Sequence, residues 1–406
     1  MNPGLSYCHP YPFEKLSQLK FGITAPENKQ HISLSIGEPT HPTPAFIQDA
    51  LYEHRKGLGV YPTTKGILGL RQAIAIWLSS RFNLPQESID PETNVLPVSG
   101  TREALFSIAQ SIIDSSKSRQ GLKPVVIMPN PFYQIYEGAA FLAGAEPYFL
   151  NTTEASGYLP DFDSVPEAIW QRCQLIYICS PGNPSGAVLA NAEMTKLIHL
   201  AEKYQFVIAS DECYSELYDD ENNPPVGLLQ AAYLSGNTTY QRCLVFHSLS
   251  KRSNAPGLRS GFVAGDAAIL RSYFHYRTYQ GCAMPLPTQH ASLCAWQDEA
   301  HVIENRQLYR AKFTDFIHIL GDVCDIQKPV ASFYVWLKTS ISDTEFAQNL
   351  FARENVTVLP GTYLSRDVDG TNPGLNHVRI ALVAPLTECN EAAHRIKHFI
   401  NTLNIQ

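Results

Sequence analysis

The chain has 406 residues, of which 44% are hydrophobic and 17% are charged. These proportions are typical of a folded globular protein and exclude a disordered or collagen-like chain. The formal net charge is −7 at pH 7, so the overall field gives no reason to expect binding to nucleic acid or to an anionic membrane. At this length we expect either two domains or one enlarged α/β domain.

The nine cysteines are scattered and contain no CxxC pair, so we expect them to be reduced and mainly structural. The opening segment, MNPGLSYCHPYPFEKL, is polar and interrupted by prolines, and it lacks the basic and then apolar layout of a signal peptide. No apolar run approaches the roughly 20 residues that a membrane-spanning helix needs. We therefore expect a cytoplasmic protein that acts without a membrane or a nucleic acid.

Three regions follow one another along the chain. Residues 1–45 are predicted to form a proline-rich arm and part of a smaller domain, and residues 46–294 a large domain. In the large domain, short β-branched runs alternate with longer helical patterns, as in βαβ units around a mainly parallel sheet. Its predicted strands are NVLPVS (94–99), PVVIMP (124–129), AEPYFL (145–150), QLIYICS (174–180), QFVIAS (205–210), RCLVFHS (242–248) and GFVAG (261–265).

Residues 295–406 are predicted to form the rest of the smaller, α+β domain. A long helical pattern begins at residue 298, and a closing helix is predicted over residues 390–403. Between these helices we predict three strands of a second sheet, ASFYVWL (331–337), NVTVLP (355–360) and NHVRIALV (376–383). Helices of the large domain are predicted at TREALFSIAQSII (101–113), YQIYEGAAFLAG (133–144) and AEMTKLIHLAEKY (192–204).

Several common chemical motifs are absent from the sequence. It contains no GxxxxGK[ST] phosphate loop, no GxGxxG after a strand, no GxSxG elbow and no HExxH pair. His394 and His398 are four residues apart on a predicted helix and could share a metal ion, but no third ligand is indicated. We therefore predict no metal site.

Polar residues instead gather directly after the apolar strands, where an open parallel sheet presents its ligands. Ser99, Gly100 and Thr101 follow one strand and open a helix, whose free backbone N–H groups and dipole favour a phosphate. Taken alone, this tripeptide is more often a simple helix cap. In SPGNPSG (180–186), Asn183 precedes a proline and is held out of helical geometry, although a plain turn explains this segment equally well.

Four charged or phenolic side chains extend this pattern. Asp211 ends a strand, with Tyr214 three residues later; a buried carboxylate there needs a cationic partner, whereas an exposed one would be a turn former. Lys251 follows another strand, and Arg259 begins the next. A lone lysine is usually solvated, but one desolvated beside other cations can form a Schiff base. Arg379, on an apolar strand, could hold a carboxylate or join a structural salt bridge.

Together these residues meet the requirements of pyridoxal phosphate, which needs an amine for its aldehyde, a carboxylate for its pyridine nitrogen and a phosphate site. In order and spacing, from SIGEP (35–39) to Arg379, the sequence resembles the fold-type I pyridoxal-phosphate-dependent aminotransferases of class I/II. This resemblance implies an α/β fold whose large domain has a mainly parallel seven-stranded sheet. It also implies small-molecule amino-acid and keto-acid substrates.

The resemblance implies a role for each residue around the cofactor. Lys251 would be the catalytic residue that binds the aldehyde, and Asp211 would pair with the pyridine nitrogen. Asn183 and Tyr214 would bond the phenolic oxygen, and Tyr133 would stack on the ring. The phosphate would be held by Ser99, Gly100, Thr101, Ser248 and Arg259.

The same resemblance implies substrate contacts and an assembly. Gly37, Asn183 and Arg379 would contact the substrate, with Arg379 binding its α-carboxylate. Tyr61 matches the tyrosine that such enzymes lend to the neighbouring subunit's phosphate, which implies a homodimer with shared active sites. No motif identifies the contacts to the far end of the substrate, for which the candidates by charge and placement are Arg102, Lys65 and Arg252.

Other functions stay open on the residues alone. The cofactor residues do not distinguish among alanine, aromatic and branched-chain aminotransferases, or between these and a β-lyase. A non-catalytic regulator of the same fold is disfavoured, because no helix-turn-helix segment is evident and the acidic charge does not suit DNA. A generic α/β protein would need many independent coincidences at the strand ends.

Overall fold

The computed structural model describes residues 3–117 and 121–403. The predicted ranges 1–45, 46–294 and 295–406 therefore each include a few residues outside the description, and this division stays a prediction. Among the described residues the strands are β1 (Ile32–Ser33), β2 (Val95–Val98), β3 (Val125–Asn130), β4 (Glu146–Asn151), β5 (Cys173–Cys179), β6 (Val207–Asp211), β7 (Cys243–Ser248), β8 (Gly261–Gly265), β9 (Tyr334–Lys338), β10 (Val356–Thr357), β11 (Leu359–Pro360) and β12 (His377–Ala381).

The α-helices surround these strands and connect them. Over the same residues they are α1 (Pro12–Leu19), α2 (Ala45–Glu53), α3 (Leu68–Arg81), α4 (Thr101–Ile112), α5 (Ile135–Leu142), α6 (Glu167–Trp170), α7 (Asn191–Tyr204), α8 (Leu228–Leu234), α9 (Leu249–Arg252), α10 (Ala267–Gln280), α11 (Leu286–Gln297), α12 (Ala300–Leu320), α13 (Asp343–Glu354) and α14 (Leu386–Leu403). None of them combines the length and apolarity that crossing a membrane would require.

Strands β2 to β8 form one seven-stranded sheet, in the order β2-β8-β7-β6-β5-β3-β4. Neighbours from β7 to β4 are parallel, whereas β8 runs antiparallel to both of its neighbours. Each predicted strand of the large domain is present, with its bounds displaced by two residues or fewer. The prediction of an α/β fold with a mainly parallel seven-stranded sheet is confirmed.

Apolar side chains cover both faces of this sheet. In β5, Ile176 and Ile178 join one buried cluster, whereas Leu175 and Tyr177 join another on the opposite face. This follows from the alternation of side chains along a strand, and it explains why the strands read as continuous apolar runs. A sheet buried on both faces can accept polar ligands only at its edges and strand ends.

The C-terminal strands form smaller sheets beside the large one. Strands β11, β12 and β9 make an antiparallel sheet, whereas β10 pairs in parallel with β1 from the N-terminal region. The predicted strand NVTVLP is therefore divided between two sheets, and its assignment to a single sheet was wrong. Local periodicity could not show that β1, more than 300 residues earlier in the chain, is the partner of β10.

Candidate active site

An open cleft of about 370 Å³ lies at the edge of the large sheet where its parallel strands end. Strands β6 and β7 deliver residues to this edge directly, and β2 does so through the start of α4. Because β8 is antiparallel, its beginning lies at the same edge. The predicted site residues that line the cleft are Gly37, Thr101, Tyr133, Asn183, Asp211, Tyr214, Ser248, Lys251, Arg259 and Arg379.

Three predicted residues do not line this cleft themselves. Ser99 and Gly100 lie just before α4, where Gly100 has a positive φ of 89° and packs directly against the guanidinium of Arg259. A side chain at position 100 would meet that guanidinium, so glycine is required there. Tyr61 lies outside the cleft and is 99% exposed.

Lys251 lies within α9, immediately after β7, and is partly buried. Its Nζ donates a hydrogen bond to the carbonyl oxygen of Gly37. The pKa of this amine is lowered to about 8, mainly by burial and also by the guanidinium groups of Arg379 and Arg259, while Cys213 and Glu38 act in the opposite direction. Near neutral pH, a lysine with such a pKa has a much larger fraction in its neutral, nucleophilic form than an ordinary lysine has.

Asp211, the last residue of β6, is 4% exposed. Tyr136 donates its hydroxyl proton to Oδ2 at 2.7 Å, and the backbone N–H of Cys213 donates to Oδ1 at 3.3 Å. Burial raises the pKa of this carboxyl group. No lysine or arginine of the described chain pairs with Asp211, so the site has a buried acid that a cationic ligand would stabilise.

A second group of cleft residues suits an anion. Thr101 is the first residue of α4, a 12-residue helix whose free N–H groups and dipole point toward the cleft. The hydroxyl of Ser248 and the exposed guanidinium of Arg259 belong to the same group. Arg259 has a positive φ of 53°, and its Nη1 donates to the carbonyl oxygen of Pro256 at 2.9 Å, which holds the side chain in place.

Arg379 comes from β12 and is 4% exposed. Its Nη1 donates to Oδ1 of Asn183 at 2.9 Å, and its Nη2 donates to the carbonyl oxygen of Ser35 at 2.8 Å. Its Nε is buried and has no hydrogen-bond partner among the described residues. The guanidinium lies 4.4 Å from the ring centre of Tyr334, whose hydroxyl occupies the space that a side chain at Gly37 would need.

The structure distinguishes among the three candidate residues for binding the far end of the substrate. Arg102 lines the cleft, with its guanidinium 5.1 Å from the ring centre of Tyr11. Lys65 pairs with Glu92 at the surface. Arg252 is buried and donates to the carbonyl oxygen of Ala295 at 2.7 Å. Only Arg102 of the three can reach a ligand in this cleft.

Sequence reasoning missed several residues of the site. Tyr136, the partner of Asp211, lies one turn after Tyr133, and this spacing is a signal that could have found it. Tyr334 lies in a predicted strand with nothing to mark it as a neighbour of Gly37. The sequence analysis gave no role in the site to several other residues that line the cleft, namely Tyr11, Phe13, Gln134, Cys213 and Leu364.

The described residues contain no group of three or more histidine, cysteine or acidic side chains placed to hold a metal ion. His398, which the sequence pairs with His394, instead bonds Oε1 of Glu354 through Nδ1 at 2.7 Å. The cleft itself offers an amine of lowered pKa, a buried carboxylate without a cation and a helix terminus flanked by a guanidinium. These groups fit pyridoxal phosphate, because each matches one of its reactive or charged atoms.

A family model described as aminotransferase class I and II matches residues 29–396. The chain belongs to this aminotransferase family. It is 31% identical over 401 residues to the LL-diaminopimelate aminotransferase of Nitratidesulfovibrio vulgaris (strain DSM 19637 / Miyazaki F), with 97% of each protein covered. The predictions of a transaminase and of pyridoxal phosphate as its cofactor are confirmed.

Solved aminotransferase structures share the fold over nearly the whole chain. The chain is 49% identical to an aminotransferase from Neisseria meningitidis Z2491, with a TM-score of 0.93 over 98% of this chain and 100% of the other. It is 36% identical to the aminotransferase AspB from Helicobacter pylori 26695, with a TM-score of 0.87 over 97% and 99% of the two chains. The fold-type I architecture of this aminotransferase is thereby confirmed.

Proposed function

We propose that this aminotransferase is a succinyldiaminopimelate transaminase of diaminopimelate and lysine biosynthesis. It would interconvert N-succinyl-L,L-2,6-diaminopimelate and 2-oxoglutarate with N-succinyl-2-amino-6-oxopimelate and glutamate. Four segments resemble succinyldiaminopimelate aminotransferase: PYPFEKL (10–16), PNPFYQIYEGAAFLAGAEPYF (129–149), SLSKRSNAPGLRSGFVAGDAAIL (248–270) and YRTYQGCAMP (276–285). The relatives named LL-diaminopimelate aminotransferase support a substrate with the same carbon skeleton.

The charge of the residues that line the cleft favours an acylated donor. Asp211 is the only acidic residue among the described residues that line the cleft, and it is buried with Tyr136 as its hydrogen-bond partner. Arg102 and Arg379 both line the cleft and can receive carboxylates. Free diaminopimelate carries a second ammonium group, which would have no carboxylate partner there. Succinylation removes that positive charge and adds a third carboxylate to the two of diaminopimelate, which makes the donor more anionic and suits a cleft lined by Arg102 and Arg379.

In the proposed reaction, Lys251 and Asp211 would control where the protons are held. Bound pyridoxal phosphate supplies a sink for the electron pair left at the substrate Cα. The amine of Lys251 would act as the general base that removes the Cα proton of the substrate. Asp211 keeps a proton on the pyridine nitrogen by opposite charge, since a carboxylate beside a cation raises that cation's pKa.

The other residues orient the reacting groups. Arg379 would bind the α-carboxylate through its guanidinium, and Gly37 and Asn183 would contact the substrate beside it. Tyr133 would stack on the cofactor ring, while Asn183 and Tyr214 would bond its phenolic oxygen; all three line the cleft. The phosphate would be held by Ser99, Gly100, Thr101, Ser248 and Arg259, around the N-terminus of α4.

We also propose a homodimer with shared active sites. Tyr61 is 99% exposed, and the neighbouring Leu58 and Val60 are 75% and 60% exposed, which makes an apolar surface that a second copy would cover. Tyr61 would then reach the phosphate of the neighbouring subunit. A cytoplasmic location stays a prediction from the sequence.

The test is the visible absorption of the purified protein with pyridoxal phosphate, followed after adding one amino donor without a keto acid. We expect N-succinyl-L,L-diaminopimelate to bleach the band of the bound cofactor much faster than alanine, phenylalanine or leucine does. Free LL-diaminopimelate is the second candidate, favoured by the names of the relatives. Faster bleaching by free LL-diaminopimelate would identify it, rather than the succinylated compound, as the donor. A band unchanged by either compound would overturn the proposal of a diaminopimelate-type substrate.

A further inference from the structure

Asn305, on α12, is 2% exposed and joins this helix to two segments that are distant in the sequence, around residue 41 and over residues 251–254. Its Oδ1 accepts hydrogen bonds from Nδ2 of Asn254 at 3.0 Å and from Nδ1 of His41 at 3.2 Å. Its Nδ2 donates to the carbonyl oxygen of Lys251 at 3.1 Å. A buried carboxamide with partners at both ends holds its neighbours in one arrangement, because breaking any of these bonds leaves a polar group unpaired.

The hydrogen bond from Asn305 to Lys251 pairs a backbone carbonyl group at the end of a short helix. Helix α9 has only four residues, so the carbonyl groups at its end lack intrahelical donors. Asn305 Nδ2 supplies the missing donor to Lys251, and it lies 3.4 Å from the carbonyl oxygen of Arg252 as well. The peptide from which the catalytic amine extends is therefore held by a side chain of another helix.

The bond to His41 connects the same carboxamide to the tip of the lysine. His41 belongs to the segment 36–44, which also carries Gly37, the residue whose carbonyl oxygen accepts from Lys251 Nζ. Two further bonds anchor this segment, from the hydroxyl of Thr40 to the carbonyl oxygen of Val383 and from the hydroxyl of Thr43 to that of Asn254, each at 2.6 Å. Asn305 thus holds both the backbone of Lys251 and the segment that its amine contacts.

We propose that Asn305 is a positioning residue, which sets the ε-amino group of Lys251 against the carbonyl oxygen of Gly37 and so places it for attack and proton transfer. This inference rests on the proposed role of Lys251 as the cofactor lysine. Asn305 acts through the backbone of Lys251 and through His41, and it does not line the cleft. Its contribution should therefore fall on the reactivity of the lysine rather than on the binding of the amino donor.

The test uses the full-length variants Asn305→Ala and Asn305→Asp, the second of which keeps the shape but loses the N–H donor. We expect kcat to fall about three- to tenfold in each, the cost of one buried hydrogen bond, with a smaller change in the KM for the donor. If Asn305 only filled space, Asn305→Asp would behave like the wild type. Its retention of full kcat would overturn the proposal.

A second readout needs no amino donor. The rate at which the cofactor-free protein captures pyridoxal phosphate, followed by absorbance against pH, should have a midpoint near the Lys251 pKa of about 8. The hydrogen bond to Gly37 favours the charged form of this amine, so in Asn305→Ala, where that bond is weakened, we expect the midpoint to fall by about half a pH unit or more. His41→Ala should move it in the same direction by less, because Asn254 still bonds Asn305.

The matched control is Asn94→Ala, which removes a buried asparagine whose Nδ2 donates to the carbonyl oxygen of Gly265 at 2.7 Å, away from the cleft. It should lower the thermal midpoint of unfolding without moving the pH midpoint. An unmoved pH midpoint in Asn305→Ala would contradict the positioning role. Failure of the underlying assignment looks different, because Lys251→Ala would then still capture the cofactor covalently.

Discussion

Two parts of the cleft are built in different ways. The floor consists of Thr101, Asp211, Ser248 and Lys251, which lie at or next to the ends of neighbouring strands in one sheet. The wall consists of Tyr11, Phe13, Arg102, Tyr334, Leu364 and Arg379, which come mainly from the N-terminal arm and the C-terminal third of the chain. Sheet topology alone brings the floor together, whereas the wall depends on contacts between distant segments.

The two parts also differ in what they lack. The floor holds a buried carboxyl group without a cation and an amine of lowered pKa, so it is complete only with a cofactor. The wall holds the guanidinium groups of Arg102 and Arg379, which suit the carboxylates of a substrate. We therefore expect substitutions in the floor to affect every amino donor alike, and substitutions in the wall to change the preference among donors.

The largest effect is expected from Lys251→Ala in the floor. Loss of a general base alone lowers turnover by about 10²- to 10⁴-fold, and loss of the covalent attachment adds to this. The measurement is kcat with any donor, together with the thermal midpoint to show that the variant is folded. The matched control is Lys312→Met, which removes a buried lysine whose pKa is also about 8 but which lies outside the cleft. Equal losses of kcat in both variants would show that Lys251 is not the catalytic lysine.

Asp211→Asn should separate stability from cofactor binding. Burial raises the folded-state pKa of Asp211 above its unfolded value, so the cofactor-free protein loses stability as pH rises from the unfolded pKa through the folded pKa, and the full loss is present above the folded pKa. The amide should then raise the thermal midpoint of the cofactor-free protein at pH 7. Retention of pyridoxal phosphate should fall by about 10- to 100-fold, because a charge-assisted hydrogen bond is lost. Unchanged retention would show that Asp211 does not bind the cofactor.

Arg379→Lys tests the wall. Lysine keeps the positive charge but cannot form two parallel hydrogen bonds, so we expect kcat/KM to fall by about tenfold or more for every α-amino acid donor. The absorbance of the bound cofactor should remain, since Arg379 is not assigned to the phosphate. Arg271→Lys, on the exposed side of α10, serves as the control. A loss of cofactor binding in Arg379→Lys would show that Arg379 acts with the floor residues in binding the cofactor.

The smallest effect is expected from Arg102→Met. Arg102 is exposed, and water therefore weakens its attraction for a carboxylate. We expect kcat/KM for N-succinyl-L,L-diaminopimelate to fall by roughly three- to tenfold, with little change for alanine, which has no distal carboxylate. The ratio of the two values is the measurement. A ratio that does not change would exclude Arg102 from the distal contact.

The same division explains how much of the molecule could be predicted. The strands that deliver Thr101, Asp211 and Ser248 were evident from apolar runs bounded by polar residues, because burial on both faces leaves a strong local signal. Gly37 and Arg379 were placed through resemblance, and they do lie in the cleft with Lys251. Whether they bind the substrate stays a prediction.

Residues that depend on distant contacts could not be predicted in this way. Charge and placement did not distinguish Arg102, which faces the cleft, from Arg252, whose guanidinium bonds the carbonyl oxygen of Ala295 inside the protein. The strand pattern of NVTVLP did not show that its two halves pair with β1 and β12. Asn305 had no signal at all, because its importance comes from partners more than 50 residues away.

The antiparallel direction of β8 has a consequence for the order of folding. Strands β7 and β8 are joined by a short segment, and Ser248 pairs with Gly261 only 13 residues later. Such a pairing costs less chain entropy than one that closes a long loop, so it has a low contact order. Lys251 and Arg259 both lie inside this hairpin-like connection. The edge of the sheet proposed to bind the cofactor therefore has a nucleus that can form early, before Arg379 arrives from more than 100 residues away.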